Sequence, residues 1–297
     1  MLLSLGSLPS RKVHVLGLTV AAVGLSGLGF AAASARATSI GINYTGAGSY
    51  GQTQAQATGG YSLAPTASAG YAAVAQDNWN NTTISYTDGN GHGNSGLLST
   101  VVDSTGATVS GMSVATAVNT SDSSYTGDPL KLYPDSGTAS WGFSGNNLTM
   151  LEGDVYPSPK ITISGIPYSS YDVYVYMAAP GGNAGVGAVT ISANSVGTVD
   201  STSEYFYDYI WPAGTFIQAT ATSATANTVV SNFVLFTGNT ASDITLTADA
   251  SGWNTGLAAF QIVNTGSTVI SEPATLILMA LGGLGVVLMG RKRQTAQ

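Results

Sequence analysis

The chain has 297 residues, of which 8% are charged, 44% are hydrophobic and none is cysteine. Soluble domains usually carry about 25% charged residues, and without disulfides a packed core must hold the fold. The net charge of −7 understates the imbalance, because between the terminal segments only Lys131 and Lys160 face 14 acids, a net of −12. A surface of that sign repels phosphate backbones and excludes nucleic acid as a partner.

The first 37 residues read as a secretory signal. Arg11 and Lys12 precede an uncharged stretch from Val13 to Ala33, and Ala35 and Ala37 occupy the small-residue positions of a cleavage site. Signal peptidase is then expected to leave Thr38 as the new N-terminus. The competing reading is an uncleaved membrane anchor. Residues 38–270 form one domain on this reading, and about 230 residues suffice to bury a core. It opens with a stretch rich in Gly, Ser, Gln and Ala, from Gly46 to Gly70, that reads as an ordered loop or a flexible arm. Beyond it, "QDNWNN" reads as a capped turn with Trp79 packed inward.

The segment "TDGNGHGNSG" spaces Asp88, Asn90, His92 and Asn94 two apart. Calcium takes six to eight oxygens, mostly from carboxylates, and this loop offers one carboxylate and a histidine. An exposed hairpin is the preferred reading. His92 is the single histidine outside the signal segment, and a base set among glycines is poorly held for a Ser-His-Asp triad.

Apolar residues then recur with period two, the mark of half-buried strands. Strands are expected at Ala107–Val118, Lys160–Ser164, Tyr171–Met177, Ala188–Ala193, Thr215–Thr222, Thr228–Gly238, Asp243–Asp249 and Gly256–Asn264. In the third of these, Tyr171, Val173, Val175 and Met177 share one face, and Asp172, Tyr174 and Tyr176 the other. Turn residues separate the strands, and no long amphipathic helix intervenes. The pattern predicts an all-β, antiparallel β-sandwich. It argues against a parallel α/β sheet, which needs crossover helices.

Catalytic chemistry has little to work with. Glycoside hydrolysis needs paired carboxyls, and two pairs are spaced for it, Glu152 with Asp154 and Glu204 with Asp208. The plainer reading is that these carboxylates solvate an acidic surface. No cofactor or metal is expected. The stretch "EYFYDYIW" is a better candidate for binding. Tyr205, Tyr207, Tyr209 and Trp211 alternate, so an extended backbone puts four rings on one face. An exposed face of that kind would be a glycan platform, and a buried one is ordinary core.

From Ala274 to Gly290 there are 17 residues without a charge, the lower end of a bilayer span. Arg291, Lys292 and Arg293 follow and would stay on the cytoplasmic side. A transmembrane helix at 274–290 therefore anchors the protein, at least transiently, with its body facing outward.

The segment "SEPATLILMALGGLGVVLMGRKR", residues 271–293, resembles the PEP-CTERM sorting signal of Gram-negative and related bacteria. The match lies in Glu272, Pro273 and Ala274, the apolar run and the basic cluster, with Ser271 where the family usually has Pro. The resemblance implies an exosortase-type membrane transpeptidase as partner, and members of this group are often associated with exopolysaccharide and biofilm matrix. The sorting segment is taken as 271–294. The body, through "SIGINYTG", "AAVAQDNWNN", "VVDSTGATVSGMSV", "TISGIPYSSYDVYVYM" and "GLAAFQIV", resembles uncharacterised bacterial surface domains that look like galactose-binding jelly rolls. That resemblance implies a surface-sorted, non-catalytic, structural or glycan-binding domain, with a secreted glycan-cleaving enzyme as the alternative. If both terminal signals are processed, intact mass spectrometry of protein released from cells will fit a chain that begins at Thr38 and stops near Glu272. A mass equal to the whole translated sequence would contradict both.

Overall fold

Alternating apolar and small polar residues do build strands, and their order decides where the core lies. The computed structural model describes residues 38–45, 62–86, 92–119, 130–134, 142–156, 158–178, 185–208, 214–223, 231–249 and 256–266. Outside them lie both terminal segments, with Ala35, Ala37, the apolar run 274–290 and the sorting residues Glu272, Pro273, Ala274, Arg291, Lys292 and Arg293. Tyr209, Trp211, Trp141, Trp253, Asp88 and Asn90 also lie outside. Among the described residues no helix is long and apolar enough to cross a membrane.

The chain is all-β with one short helix among the described residues. The strands are β1 (Ser39–Tyr44), β2 (Asn80–Thr82), β3 (Ser85–Tyr86), β4 (His92–Leu98), β5 (Val101–Val102), β6 (Thr108–Val109), β7 (Ser113–Val118) and β8 (Leu130–Pro134). After helix α1 (Gly145–Leu151) come β9 (Gly153–Tyr156), β10 (Pro159–Ser164), β11 (Tyr171–Ala178), β12 (Gly185–Ala193), β13 (Glu204–Asp208), β14 (Phe233–Asn239), β15 (Ile244–Asp249) and β16 (Gly256–Asn264).

One arm of the sheet runs β13-β12-β15-β10-β7-β4, and a second holds β2, β1, β16, β11 and β14; β8 and β9 join them. Inward side chains of both arms meet in one core. Ile161, Ile163, Val189 and Leu246 come from the first arm, and Ile40, Ile42, Val173, Val175, Phe260 and Ile262 from the second. On β10 the alternation is complete, with Pro159, Ile161 and Ile163 buried and Lys160 exposed. Each fully buried aliphatic side chain contributes roughly 1.5–3 kcal/mol, which replaces the missing disulfides.

Three expectations need correction. The pairing is not wholly antiparallel, because β1 and β2 run parallel. Residues 62–79, the described part of the connection between them, pack on the sheet, and parallel neighbours require a crossover. The stretch 107–118 is two strands, broken at Gly111, whose φ of 79° turns the chain. Residues 215–222 form isolated bridges, among them Gln218 to Phe233, in place of a strand. There the Asn232 side chain accepts from the Ile217 N–H (2.8 Å) and donates to the Thr215 carbonyl (2.9 Å), which takes the place of strand partners.

The core holds several tyrosines whose hydroxyls are satisfied internally. Tyr44 shares a 2.6 Å hydrogen bond with the Thr116 hydroxyl, and Tyr171 donates to the Ala241 carbonyl at 2.6 Å. Burial pushes the hydroxyls of Tyr44, Tyr171 and Tyr176 well above the ordinary tyrosine value of 10.0. In the unfolded chain they ionise near pH 10, so their contribution is complete below that pH and is lost as pH rises toward the raised folded values. Urea melts at stepped pH are therefore expected to show stability falling above about pH 10. Tyr44→Phe should cost about 1–3 kcal/mol at neutral pH by stranding Thr116, yet lose less on further alkalinisation.

Candidate functional site

Strand β11 was expected to bury one face. It buries both. Tyr171, Val173, Val175 and Met177 enter the inner core, while Tyr174 and Tyr176 enter a second cluster on the outer side of the sheet. The cover consists of residues 62–79, helix α1 through Met150 and Leu151, and Phe216 of the 214–219 segment. Trp79 is buried in this cover as the turn reading required, and its indole N–H donates to the Gln76 carbonyl at 2.9 Å. Gly41 makes the fit possible, since a Cβ there would come within 2.6 Å of both the Trp79 ring and the Gln76 amide.

The cluster is mainly aromatic. Tyr71 stacks on Phe233 with centroids 5.1 Å apart, and Tyr174 stacks on Phe233 at 6.1 Å. Phe216 lies 5.0 Å from Phe143 and edge-on to Tyr176 at 5.3 Å. Such pairs add about 0.5–1.5 kcal/mol each beyond their burial. At the edge of this layer Tyr71 and Phe216 are only half-buried, and between them opens a pocket of about 440 Å³. Ser68, Gly70, Asn147 and Thr215 add its polar wall.

Buried polar contacts hold the loop that carries Tyr71. The Tyr71 N–H donates to the Tyr176 hydroxyl (2.9 Å), which donates to Gln261 Oε1 (3.1 Å). Gln261 Nε2 in turn donates to the Val74 carbonyl (2.6 Å) and Gln76 Oε1 (2.9 Å). Gly70 donates to Asn147 Oδ1 at 2.9 Å, which ties the loop to α1. A crossing segment with these partners is fixed in place before any ligand arrives.

The carboxylates singled out from the sequence fall into different settings. Glu152 is the C-cap of α1, with φ −76°, so it and Asp154 do not share the face of one extended strand. Its carboxyl is raised by burial. Asp154 is wholly buried, against the expectation of a surface carboxylate, and it fills the space a side chain at residue 256 would need, which explains Gly256. Glu204 is also raised, first by burial and then by the nearby Asp200. Burial acts in the same upward direction on Asp200, but hydrogen bonds from Thr202 and from the Thr237 N–H outweigh it and leave its carboxyl low. Of the four-ring candidate, Tyr205 and Tyr207 lie on β13, paired with Ala188 and Val186 of β12.

Sequence reasoning missed Tyr71, Asn147, Phe216 and Phe233 as neighbours. The one available signal for the three aromatic residues was aromatic content, Tyr71 sits alone among Ala and Gly, and Asn147 carried no signal. Among the described residues, no three His, Asp or Glu side chains gather as metal ligands would.

A family model described as the PEP-CTERM protein-sorting motif matches residues 269–294. This chain carries a PEP-CTERM sorting motif. The matched span contains Glu272, Pro273, Ala274 and the Arg291-Lys292-Arg293 cluster. The motif is a sorting signal recognised by exosortases, and it marks the protein as exported and surface-sorted. No curated protein matches the chain.

If the Tyr176–Gln261 contacts fix the cover, Gln261→Leu should cost about 1–3 kcal/mol by stranding buried partners. Hydrogen exchange should then quicken at residues 70–76 and stay slow on β10 and β15. Uniform loss of protection across the sheet would show that Gln261 holds the whole fold and not the cover.

Proposed function

We propose that the protein is a non-catalytic domain, structural or glycan-binding, held at the cell surface among extracellular polysaccharide or biofilm matrix. The body then works as a galactose-binding-like jelly-roll sandwich. Signal peptidase and an exosortase-type enzyme process its two ends, and the 274–290 segment anchors it to the membrane at least until sorting. The observation that carries the glycan-binding version is the half-exposed Tyr71 ring beside an amide and hydroxyls in a pocket on a rigid support. Sugar rings present apolar C–H faces to aromatic rings and hydroxyls to polar neighbours, and ligand pockets combine these two kinds of lining.

A glycan-cleaving enzyme is the second reading. Glu204, whose carboxyl is raised by burial and by the nearby Asp200, would be its acid. One experiment separates the two readings. Protein isolated from cells is incubated with exopolysaccharide, and both retention on the polymer and release of reducing ends are followed. Retention without release is expected. Release that grows with time and disappears in Glu204→Gln would replace the binding reading with the enzymatic one.

A further inference from the structure

We propose that the pocket between Tyr71 and Phe216 binds a single uncharged sugar ring of a polysaccharide, with the Tyr71 ring as its stacking surface. This inference rests on the glycan-binding reading and adds the place and the chemical class of the ligand.

The aromatic layer supplies the stacking surface. Tyr71 stacks on Phe233 with planes 28° apart, and Tyr71, which is not fully buried, lines the pocket. Phe216, also half-exposed, is braced by Phe143 and Tyr176. Both rings are held by neighbours before a ligand arrives, so little side-chain freedom remains to be lost on binding.

Next comes the shape. About 440 Å³ lies within the range of small-ligand pockets. Gly70 cannot be enlarged without strain, because its φ is 106° and an added Cβ would crowd the Tyr176 hydroxyl. The floor therefore stays open beside Tyr71. A ring that enters can lie against the aromatic edge while its substituents reach the polar wall.

The charge of the lining decides the class. Among the described residues, no Asp, Glu, Lys, Arg or His borders the pocket. A uronate or sulfated sugar finds no cation there and meets a body of net charge −12. An amino sugar finds no carboxylate at contact. Neutral hydroxyls find Ser68, Thr215 and the Asn147 amide. Asn147 Oδ1 accepts from the Gly70 N–H. The Nδ2 of the same amide is the donor that a sugar oxygen would meet.

The test is affinity electrophoresis of the full chain through gels containing dextran or galactan, with alginate as the polyuronate and chitosan as the cationic polymer. Retention by at least one neutral polymer and none by alginate is expected, and any retention by chitosan, whose cations attract a body of net charge −12, should be the same in Tyr71→Ala as in the wild type. Tyr71→Ala should weaken that retention by roughly tenfold or more. Because Tyr71 also packs on Phe233, a second variant guards against misfolding. Ala72 is exposed at the pocket, and Ala72→Trp should block binding while the urea melt stays that of the wild type. Wild-type retention of both variants on the neutral polymer would overturn this site and leave glycan binding elsewhere intact. Tyr71-dependent retention by alginate or chitosan would overturn the neutral class. Failure of every polymer to retain the wild-type chain would remove the glycan-binding reading and this inference with it.

Discussion

The hydroxyl of Tyr176 joins the sheet to its cover. It accepts from the Tyr71 N–H and donates to Gln261, and Gln261 holds Val74 and Gln76. The group is buried, where an unsatisfied polar atom costs far more than at the surface. The crossing segment therefore has one register on the sheet that satisfies every partner in the set. The parallel pairing of β2 on β1, the seating of Trp79 over Gly41 and the position of Tyr71 all follow from that register.

A sheet covered on its outer side by a loop segment behaves differently from one covered by solvent. Tyr174, Tyr176 and Phe233 need an apolar neighbour, and residues 62–79, α1 and 214–219 supply it. The helix has only seven residues and no side-chain N-cap, so its stability comes from Met150 and Leu151 on the sheet rather than from helix propensity. Where the cover stops short, two rings are left half-open and a pocket forms. The candidate site is thus the rim of a packing solution, set by how far the covering segments extend.

The acidic residues take on separate tasks once folded. Asp103 accepts from the Thr105 and Ala107 N–H groups and closes a turn, whereas Asp243 accepts from the Gly165 N–H and joins two loops. Asp154 packs inside against Gly256, and Asp200 ties 202 to β14. A chain with two basic residues in its body has few ion pairs to offer these carboxylates, so backbone N–H groups serve them.

The sequence by itself determined the class of fold, the exported character and the sorting motif. Each depends on patterns local to a few residues. The alternation in "PKITIS" and "GLAAFQIVN" needs no partner to be read, and neither does an apolar run beside three cations. It also placed Trp79 inside. Only the tertiary structure decided what covers Tyr174 and Tyr176, because a period of two states that a face exists and says nothing of what lies on it. The same limit hid the pocket. Tyr71, Asn147 and Phe216 lie far apart along the chain and meet through a crossover, a helix and an irregular segment held by Asn232. It also hid the burial of Asp154, which rests on the absence of a side chain at Gly256. Contacts made across such distances are set by packing and by the need to satisfy buried polar groups, and neither is written in a local pattern.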